Sequence, residues 1–281
     1  MRDLSLALPP SRMPLVRGGR PLKRWRYVGV YGPELMVCAA EAFVGPFATR
    51  YWGVVMPDGR LLARWSLTRS GGVSFDGARV TIEARAQAAR GRASGHVSVE
   101  LELDEGAGPP GVESVSSNGA GGYTWTRKCA GVPARGTVTV DGMCHALEAE
   151  AVIDDTAGYH PRHTVWRWSA GVGRAVSGER VGWNLVEGIN DDPVGSERTV
   201  WVDGVPAEVG PTSIAESLDR IRFADGTELS FRARATLAHR TRLGLLRSDY
   251  RQPFGDFAGT LPGGMELAEG FGVTESHDAW W

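Results

Sequence analysis

The segment Trp52-Gly-Val-Val-Met-Pro-Asp-Gly-Arg-Leu-Leu-Ala-Arg-Trp65 contains two short apolar stretches that are separated by an Asp-Gly dipeptide. Because Asp and Gly both tolerate a positive φ, this dipeptide forms the tight turn whose twist matches two paired antiparallel strands. Four further Asp-Gly dipeptides lie between apolar or alternating stretches, at residues 76–77, 141–142, 203–204 and 225–226. Helical periodicity is nearly absent. The pattern therefore predicts an all-β, antiparallel fold.

The length of the chain leaves room for one large β barrel or sandwich, or for two smaller halves. Residues 73–86 resemble residues 221–235, since both stretches predict strand, Asp-Gly turn and strand, and both end in Ala-Arg-Ala. Either a duplicated β half or a shared hairpin pattern accounts for this similarity. We expect an irregular basic arm over residues 1–23, an N-terminal β half over residues 24–155 and a C-terminal β half over residues 156–281.

The composition excludes several classes of protein. Hydrophobic residues make up 42% of the chain and charged residues 23%, which is typical of a globular protein and not of a disordered one. The formal net charge of −2 gives no global attraction to nucleic acid, so no nucleic-acid partner is expected. The three cysteines are odd in number and have no CxxC spacing, which argues against a disulfide framework and a structural zinc site.

The N-terminal region contains no recognisable export signal. Its apolar segment Leu4-Ser-Leu-Ala-Leu8 is too short for a signal peptide and runs into Pro9-Pro10. No apolar stretch approaches the roughly 20 residues of a membrane-spanning helix, so we expect a cytoplasmic protein without stable membrane insertion. Residues 12–26 contain six basic residues and no acidic one, a run that would suit phosphate or an acidic partner. A solvated arm packed over the fold agrees better with the overall charge.

The segment Asp154-Asp-Thr-Ala-Gly-Tyr-His-Pro-Arg-His-Thr-Val-Trp-Arg-Trp168 combines two carboxylates, two imidazoles and two tryptophans. Strand alternation places Trp166 and Trp168 on one face and His163 on the other. Asp154 and Asp155 end the preceding strand, so both are expected at the rim of whatever that sheet encloses. Imidazole and carboxylate groups bind metals, but the spacing of these groups in the sequence does not require the geometry of a metal site. No metal site is therefore predicted.

The segment Val181-Gly-Trp-Asn-Leu-Val-Glu-Gly-Ile189 places Glu187 on the same strand face as Trp183 and other apolar side chains. Burial disfavours the charged form of a carboxyl group, which suits a general acid. A buried glutamate paired with an arginine is an equally good interpretation. Both interpretations stay open from the sequence.

Residues 265–277 repeat this pattern near the C-terminus, where Glu275 and His277 continue an otherwise hydrophobic strand face. A carboxylate and an imidazole two residues apart on a strand can hydrogen-bond to each other. Such a pair orients a general base in some proteins and only satisfies its own polar atoms in others.

Seven motifs, taken in order along the chain, resemble a bacterial family that is described as domain of unknown function 2804. They are Arg24-Trp-Arg-Tyr27, Tyr123-Thr-Trp-Thr-Arg-Lys128, Asp155 with Trp166-Arg-Trp-Ser-Ala-Gly171, Gly182-Trp-Asn184, Glu197 with Val202-Asp-Gly204, Arg251-Gln-Pro-Phe-Gly-Asp-Phe-Ala-Gly259, and Glu275 with Trp280. The segment with the pattern Gln-x-Phe-Gly-x-Phe-x-Gly is the most specific of these matches. More remotely, the chain is similar to two-lobed, lipocalin-like proteins of the hydroxyneurosporene synthase (carotenoid hydratase) type.

The resemblance implies a two-lobed, lipocalin-like (calycin-like) barrel or sandwich with a cavity for an apolar small molecule. Hydration or cyclisation of an isoprenoid needs a carboxylic acid that protonates an alkene in an aromatic-lined cavity, where ring faces stabilise the developing cation. Candidate catalytic residues are Asp155, His163, Glu187, Glu275 and His277. Candidate ligand-binding residues are Trp125, Trp166, Trp168, Trp183, Asn184, Arg251, Gln252 and Phe254.

Three functions agree with these observations. The first is binding of an apolar small molecule, a lipid or isoprenoid, with acid-catalysed hydration, cyclisation or isomerisation. The second is a carrier for the same class of ligand without catalysis. The third is a carbohydrate-active β sandwich that uses Glu187 and Glu275 as paired carboxylates. No cofactor is expected in any of them, and the oligomeric state is left open.

Overall fold

The computed structural model describes residues 6–67, 71–86, 95–244 and 246–281, and the regular structure within them consists of β-strands. These strands are β1 (Val16–Arg17), β2 (Arg20–Pro21), β3 (Lys23–Tyr31), β4 (Met36–Val44), β5 (Phe47–Val55), β6 (Leu61–Ser66), β7 (Val73–Asp76), β8 (Arg79–Arg85), β9 (His96–Leu103), β10 (Val112–Ser117), β11 (Tyr123–Val140), β12 (Met143–Gly158), β13 (His163–Ala175), β14 (Arg180–Glu187), β15 (Thr199–Val202), β16 (Val205–Glu208), β17 (Thr212–Ile214), β18 (Arg220–Phe223), β19 (Glu228–Leu243), β20 (Leu246–Leu261) and β21 (Met265–Trp280).

Two large antiparallel sheets form the two lobes of the described chain. The N-terminal sheet has the order β6-β5-β4-β3-β12-β11-β9-β8-β7, with β10 added on β11. The C-terminal sheet has the order β16-β15-β14-β13-β21-β20-β19-β18-β17. In each lobe the first long strand pairs with the last, β3 with β12 and β13 with β21. The all-β, antiparallel, two-lobed lipocalin-like fold predicted from the sequence is confirmed.

The two lobes share one strand order when β10 is set aside, so that β3 to β12 correspond in sequence to β13 to β21. The similar stretches in the sequence do not follow this correspondence. Residues 73–86 cover β7 and β8, whereas residues 221–235 cover β18 and the start of β19. Because β7 corresponds to β17, the two stretches are one strand out of step. Their similarity therefore reflects a shared hairpin pattern, although the lobes have a common topology.

The predicted Asp-Gly turns are confirmed at all five positions, since each dipeptide lies where two consecutive strands that pair with each other are joined, with Asp76 as the last residue of its strand. At the β11–β12 turn both residues have a positive φ, 49° at Asp141 and 86° at Gly142. The β15–β16 turn repeats this geometry, with 46° at Asp203 and 81° at Gly204. Two left-handed residues in succession give the twist that joins two paired strands directly.

Three hydrophobic cores determine how the sheets pack. The N-terminal sheet encloses one core, which includes Trp52 and Ile82, and the C-terminal sheet encloses another, which includes Trp183. The third core lies between the sheets and takes residues from both of them. At one point of this contact the lobes approach closely, since a Cβ on Gly182 would lie 2.8 Å from the Cβ of Ala130. Each lobe is thus filled by its own side chains, and the space between the lobes is left for a site.

The described part of the N-terminal arm, from residue 6 onward, packs against the edge of the N-terminal lobe. Met13 and Leu22 are buried in a small cluster with aromatic residues of β11 and of the chain after β12. The hydroxyl of Tyr159 donates to the carbonyl of Pro14 over 2.7 Å. Arg17 and Arg20 of the arm donate to backbone carbonyls of the loop between β10 and β11. Residues 1–5 lie outside the described part of the chain.

Candidate functional site

A cavity of about 240 Å³ lies between the two lobes. Its walls are largely aromatic, and both sheets contribute to them. The rings come from Trp25, Tyr27, Phe47, Tyr51, Trp65, Trp166, Trp168, Tyr250, Trp280 and Trp281. Because the interior of each lobe is filled by its own core, the space between the sheets is available to a ligand.

Strand alternation explains why aromatic rings line this space. On β3, Trp25 and Tyr27 point between the lobes, while Val28 enters the core of the N-terminal lobe. On β13, Trp166 and Trp168 share the cavity face, as predicted. The rings meet across the lobes, since Trp25 stacks parallel to Trp166 at 6.4 Å and Tyr27 meets Trp168 edge-on at 5.5 Å between ring centroids.

Glu275 on β21 is the carboxyl group most deeply set among these rings. Its Oε1 accepts a hydrogen bond from the indole of Trp166 at 2.9 Å, and its Oε2 accepts from Tyr250 at 2.7 Å and from Gln252 at 3.1 Å. Burial raises the pKa of Glu275 to about 7, although the bonds from Tyr250 and Trp166 favour the carboxylate. Both protonation states are therefore populated near neutral pH, which is the condition for a general acid.

Two tyrosines connect Glu275 to the wall formed by β5 and β6. The hydroxyl of Tyr51 lies 3.0 Å from that of Tyr250. Because Tyr250 donates its proton to Glu275, Tyr51 is the donor in this second bond. Burial raises the pKa of both tyrosines well above the usual range, so both stay neutral hydroxyl groups. Tyr51 also stacks on Trp65, with 4.4 Å between ring centroids.

A buried cluster of three charged groups forms the polar side of the cavity. The Nζ of Lys128 lies 2.5 Å from Oδ1 of Asp154 and 3.5 Å from Oε1 of Glu197. Lys128 and Asp154 are paired across β11 and β12, whereas Glu197 comes from the segment between β14 and β15, so the cluster bridges the lobes. Burial by itself lowers the pKa of Lys128, but the charges of Asp154 and Glu197 outweigh it and raise that pKa. Lys128 is therefore an ammonium ion.

His277 lines the same cavity and does not bond to Glu275. Its Nε2 lies 2.7 Å from the hydroxyl oxygen of Ser248, and its ring meets that of Tyr250 edge-on at 5.1 Å. Burial lowers the pKa of His277 to about 3, against the opposing charges of Asp278 and Asp249. The imidazole is thus neutral at physiological pH. The expected carboxylate–imidazole hydrogen bond does not form, because each group has another partner.

Several of the residues singled out from the sequence meet at this cavity. Trp166, Trp168, Glu275 and His277 line it, and Gln252 supports Glu275 from behind. Two more lie in the layer around it. Asn184 accepts the indole hydrogen of Trp168 at 2.8 Å, and Phe254 is buried in the core between the lobes.

Three of the candidate catalytic residues lie elsewhere. Asp155 is on the opposite face of β12 from Asp154, with Oδ2 3.0 Å from a guanidinium nitrogen of Arg26. His163 lies at the surface, 2.8 Å from Asp278. Glu187 points toward the end of the C-terminal lobe, accepts the backbone N–H of Ile214 at 2.9 Å and lies 3.5 Å from Arg167.

The environment of Glu187 matches the arginine-paired interpretation. It also separates Glu187 from Glu275, since only Glu275 lines the cavity. A glycosidase would need both carboxyl groups to face one groove. The two carboxylates considered for the carbohydrate-active alternative therefore do not form a pair.

The remaining ligand-binding candidates also point away from the cavity. Trp125 donates to Glu113 at 3.2 Å and packs in the cluster beneath the N-terminal arm. Trp183 is buried in the core of the C-terminal lobe. Arg251 is exposed on β20. Alternation along each strand explains these positions, because neighbouring residues face opposite sides of the sheet.

Residues that were not among the catalytic or ligand-binding candidates complete the site, above all Lys128, Glu197, Tyr51 and Tyr250. Lys128 occurs within a motif shared with the family, the aromatic–Thr–Lys segment, but nothing local shows that its ammonium group is buried. Asp154 was expected at a rim together with its neighbour.

Within residues 6–67, 71–86, 95–244 and 246–281, no three His, Cys, Asp or Glu side chains are placed to hold a metal ion. The same residues contain no helix that is long and apolar enough to cross a membrane.

Comparison with solved structures shows similarity over nearly the whole chain. Kievitone hydratase from Nectria haematococca is 11% identical, with 94% of this chain and 93% of that chain covered and a TM-score of 0.48. CghA in complex with Sch210972 is 10% identical, with 98% and 95% covered and a TM-score of 0.47. No curated protein matches the sequence.

The family resemblance seen in the motifs is supported by a direct match. Residues 59–281 match the family described as "Domain of unknown function (DUF2804)". The match covers most of the chain and includes the strands that carry Lys128, Asp154 and Glu275. The chain therefore belongs to the DUF2804 family.

Proposed function

We propose that this protein binds an apolar small molecule between its lobes and that Glu275 transfers a proton to it. The observation that carries the proposal is a buried carboxyl group among aromatic rings, whose pKa is raised by burial to about 7. The cavity of about 240 Å³ is slightly smaller than the roughly 300–1,000 Å³ of pockets for drug-sized ligands, so it suits a small molecule or one end of a longer molecule.

The hydrogen bonds at Glu275 indicate which oxygen carries the proton. Oε2 accepts two hydrogen bonds and Oε1 accepts one, so the proton of the acid form belongs on Oε1. Transfer of this proton to one carbon of a substrate double bond uses the π electrons to form a C–H bond. The adjacent carbon becomes cationic, and the ring faces of Trp166 and Trp25 stabilise that charge.

The cation can react in three ways. Water can add to it and release a proton, which gives hydration. Loss of a neighbouring proton to the Glu275 carboxylate gives isomerisation. Attack by a second double bond of the same molecule closes a ring and moves the cation to another carbon, and loss of a neighbouring proton to the Glu275 carboxylate then completes cyclisation. In hydration, the carboxylate of Asp154, which lines the cavity beside Lys128, accepts the proton that the added water releases.

A carrier without catalysis is the second candidate. The observation in its favour is that Glu275 already has three hydrogen-bond donors, from Trp166, Tyr250 and Gln252. A carboxyl group held in this way also fixes the packing between β13, β20 and β21. In a carrier the same cavity binds the apolar ligand, and no proton is transferred.

Variants of two glutamates separate these candidates. The ligand is first identified by native mass spectrometry and organic extraction of protein purified from its own host. Wild type and variants are then incubated with that ligand in deuterated water. We expect Glu275→Gln to bind the ligand but to incorporate deuterium about 10²–10⁴-fold more slowly than wild type. Glu187→Gln is the matched control, because Glu187 lies outside the cavity, and it is expected to behave as wild type.

Two outcomes would contradict parts of this proposal. If wild type binds the extracted ligand and neither converts it nor exchanges its hydrogens, the protein is a carrier. If Glu275→Gln retains the wild-type rate, another group donates the proton. Extraction of polar metabolites alone would contradict the apolar ligand itself.

A further inference from the structure

The mouth of the cavity is surrounded by exposed apolar side chains. Phe47 is 65% exposed, Leu67 51% and Trp280 40%, and all three also line the cavity. Phe47 is the first residue of β5, Leu67 directly follows β6 and Trp280 is the last residue of β21. Apolar side chains that are exposed singly are common, but three around one opening form a patch that indicates an interaction surface.

Arginines without acidic partners surround the same opening. Arg242 and Arg247 are exposed and lie directly opposite each other on β19 and β20, and Arg247 also lines the cavity. Arg162 is exposed as well, and its carbonyl accepts the backbone N–H of Trp281, another residue of the cavity wall. Within the described residues these three arginines form no ion pair. Two like charges directly opposite on paired strands destabilise a sheet, so an external anion would stabilise this arrangement.

This combination is confined to one end of the space between the lobes. The groove at the opposite end, beyond the end of β3, is polar. It is lined by five acidic residues and three arginines, namely Glu102, Asp104, Glu148, Glu150, Glu269, Arg135, Arg174 and Arg180. Since the whole chain has a formal net charge of −2, the positive surplus at the mouth is a local feature. The exposed arginines and the exposed apolar side chains therefore lie together at the mouth of the cavity.

We infer that the cavity mouth docks on the surface of an anionic lipid bilayer, from which the apolar ligand enters the cavity. Phe and Trp side chains insert at the boundary between headgroups and acyl chains, and arginines near them bind anionic headgroups. Each arginine near such a surface strengthens binding by about fivefold. The inference rests on the proposed function only for the apolar nature of the ligand.

Vesicle sedimentation tests this inference on the ligand-free full-length protein. We expect binding to vesicles that contain phosphatidylglycerol in phosphatidylcholine, weaker binding to phosphatidylcholine alone, and a loss of binding as salt is added. The double variant Arg242→Glu/Arg247→Glu is expected to bind at least about 25-fold more weakly. Phe47→Ser is expected to weaken binding as well. The matched control is Arg174→Glu/Arg180→Glu, which makes the same double change at two arginines that lie opposite each other in the other groove, and it is expected to bind as wild type.

Four outcomes would overturn the inference. These are no binding to vesicles of either composition, equal binding to both, an equal loss of binding in Arg174→Glu/Arg180→Glu, and a change from dimer to monomer in Phe47→Ser by light scattering. The last result would show that the mouth binds a second copy of this chain. Glu275→Gln is expected to sediment as wild type, so a failure of docking and a failure of the proposed proton transfer are distinguishable.

Discussion

Two opposing effects set the pKa of Glu275. Three donated hydrogen bonds stabilise its carboxylate, while removal from water disfavours the charge. Burial prevails and raises its pKa to about 7. A carboxyl group with fewer donors would hold its proton too firmly to release it near neutral pH, and a solvated one would already have lost it. The aromatic walls and the three donors together set the pKa that the proposed proton transfer needs.

Removal of the cation from the buried ion cluster is expected to lower the free energy of unfolding. Lys128→Met leaves Asp154 and Glu197 buried without a positive partner, so the free energy of unfolding should fall by about 3–5 kcal/mol in urea titrations. The control is Arg135→Met, which breaks the exposed pair with Glu102 and should cost at most about 1 kcal/mol. Equal effects of the two variants would show that the Lys128 cluster is solvated.

At the scale of the strand, the sequence predicts which residues share a face but not what that face meets. Alternation correctly grouped Trp166 with Trp168 and separated them from His163. The same alternation distinguishes Asp154 from Asp155, yet only the packing of the lobes makes the face of Asp154 the cavity side. The Asp-Gly turns were predictable because their signal is local. A surface between two sheets has no such local signal.

The close contact between β14 and β11 gives a prediction at this scale. In Gly182→Ala the added methyl group meets Ala130 at 2.8 Å, so the lobes must shift apart. We expect a loss of about 1–3 kcal/mol in the free energy of unfolding, measured by chemical denaturation. Gly106→Ala is the control, because its Cβ would meet only an oxygen of Asp104 at 3.5 Å. A loss of stability in the control as large as that in Gly182→Ala would show that the contact with Ala130 is not the cause of the loss.

For the whole molecule, the site exists only when both lobes are packed together. The N-terminal lobe contributes Trp25, Lys128 and Asp154, and the C-terminal lobe contributes Glu197 and Glu275. These residues are far apart in the sequence, which explains why the fold class and the family were predictable and the full site was not. The catalytic roles assigned from the sequence remain predictions. Glu275 and His277 are the two catalytic candidates that lie at the cavity.

Folding of the whole chain is also linked to the proton on Glu275. The folded-state pKa is raised from the ordinary 4.5 to about 7, so the folded protein holds this proton more tightly than the unfolded chain does. This contribution to stability is fully present below about pH 4.5 and is lost as the pH rises through about 7. Across that window wild type should lose on the order of 3 kcal/mol relative to Glu275→Gln. Urea denaturation of both proteins at a series of pH values measures this difference in the free energy of unfolding. If the free energies of the two proteins change in parallel with pH, the prediction is wrong.

The proposed proton transfer requires that Glu275 keeps its proton up to neutral pH. The direct measurement is the titration of this single carboxyl group, by NMR of protein with ¹³C-labelled glutamate side chains, with Glu275→Gln used to assign the signal. We predict a midpoint near pH 7. A midpoint at or below the ordinary value of about 4.5 would show that the carboxylate is always ionised in the folded protein, and the proposed proton transfer would then be wrong.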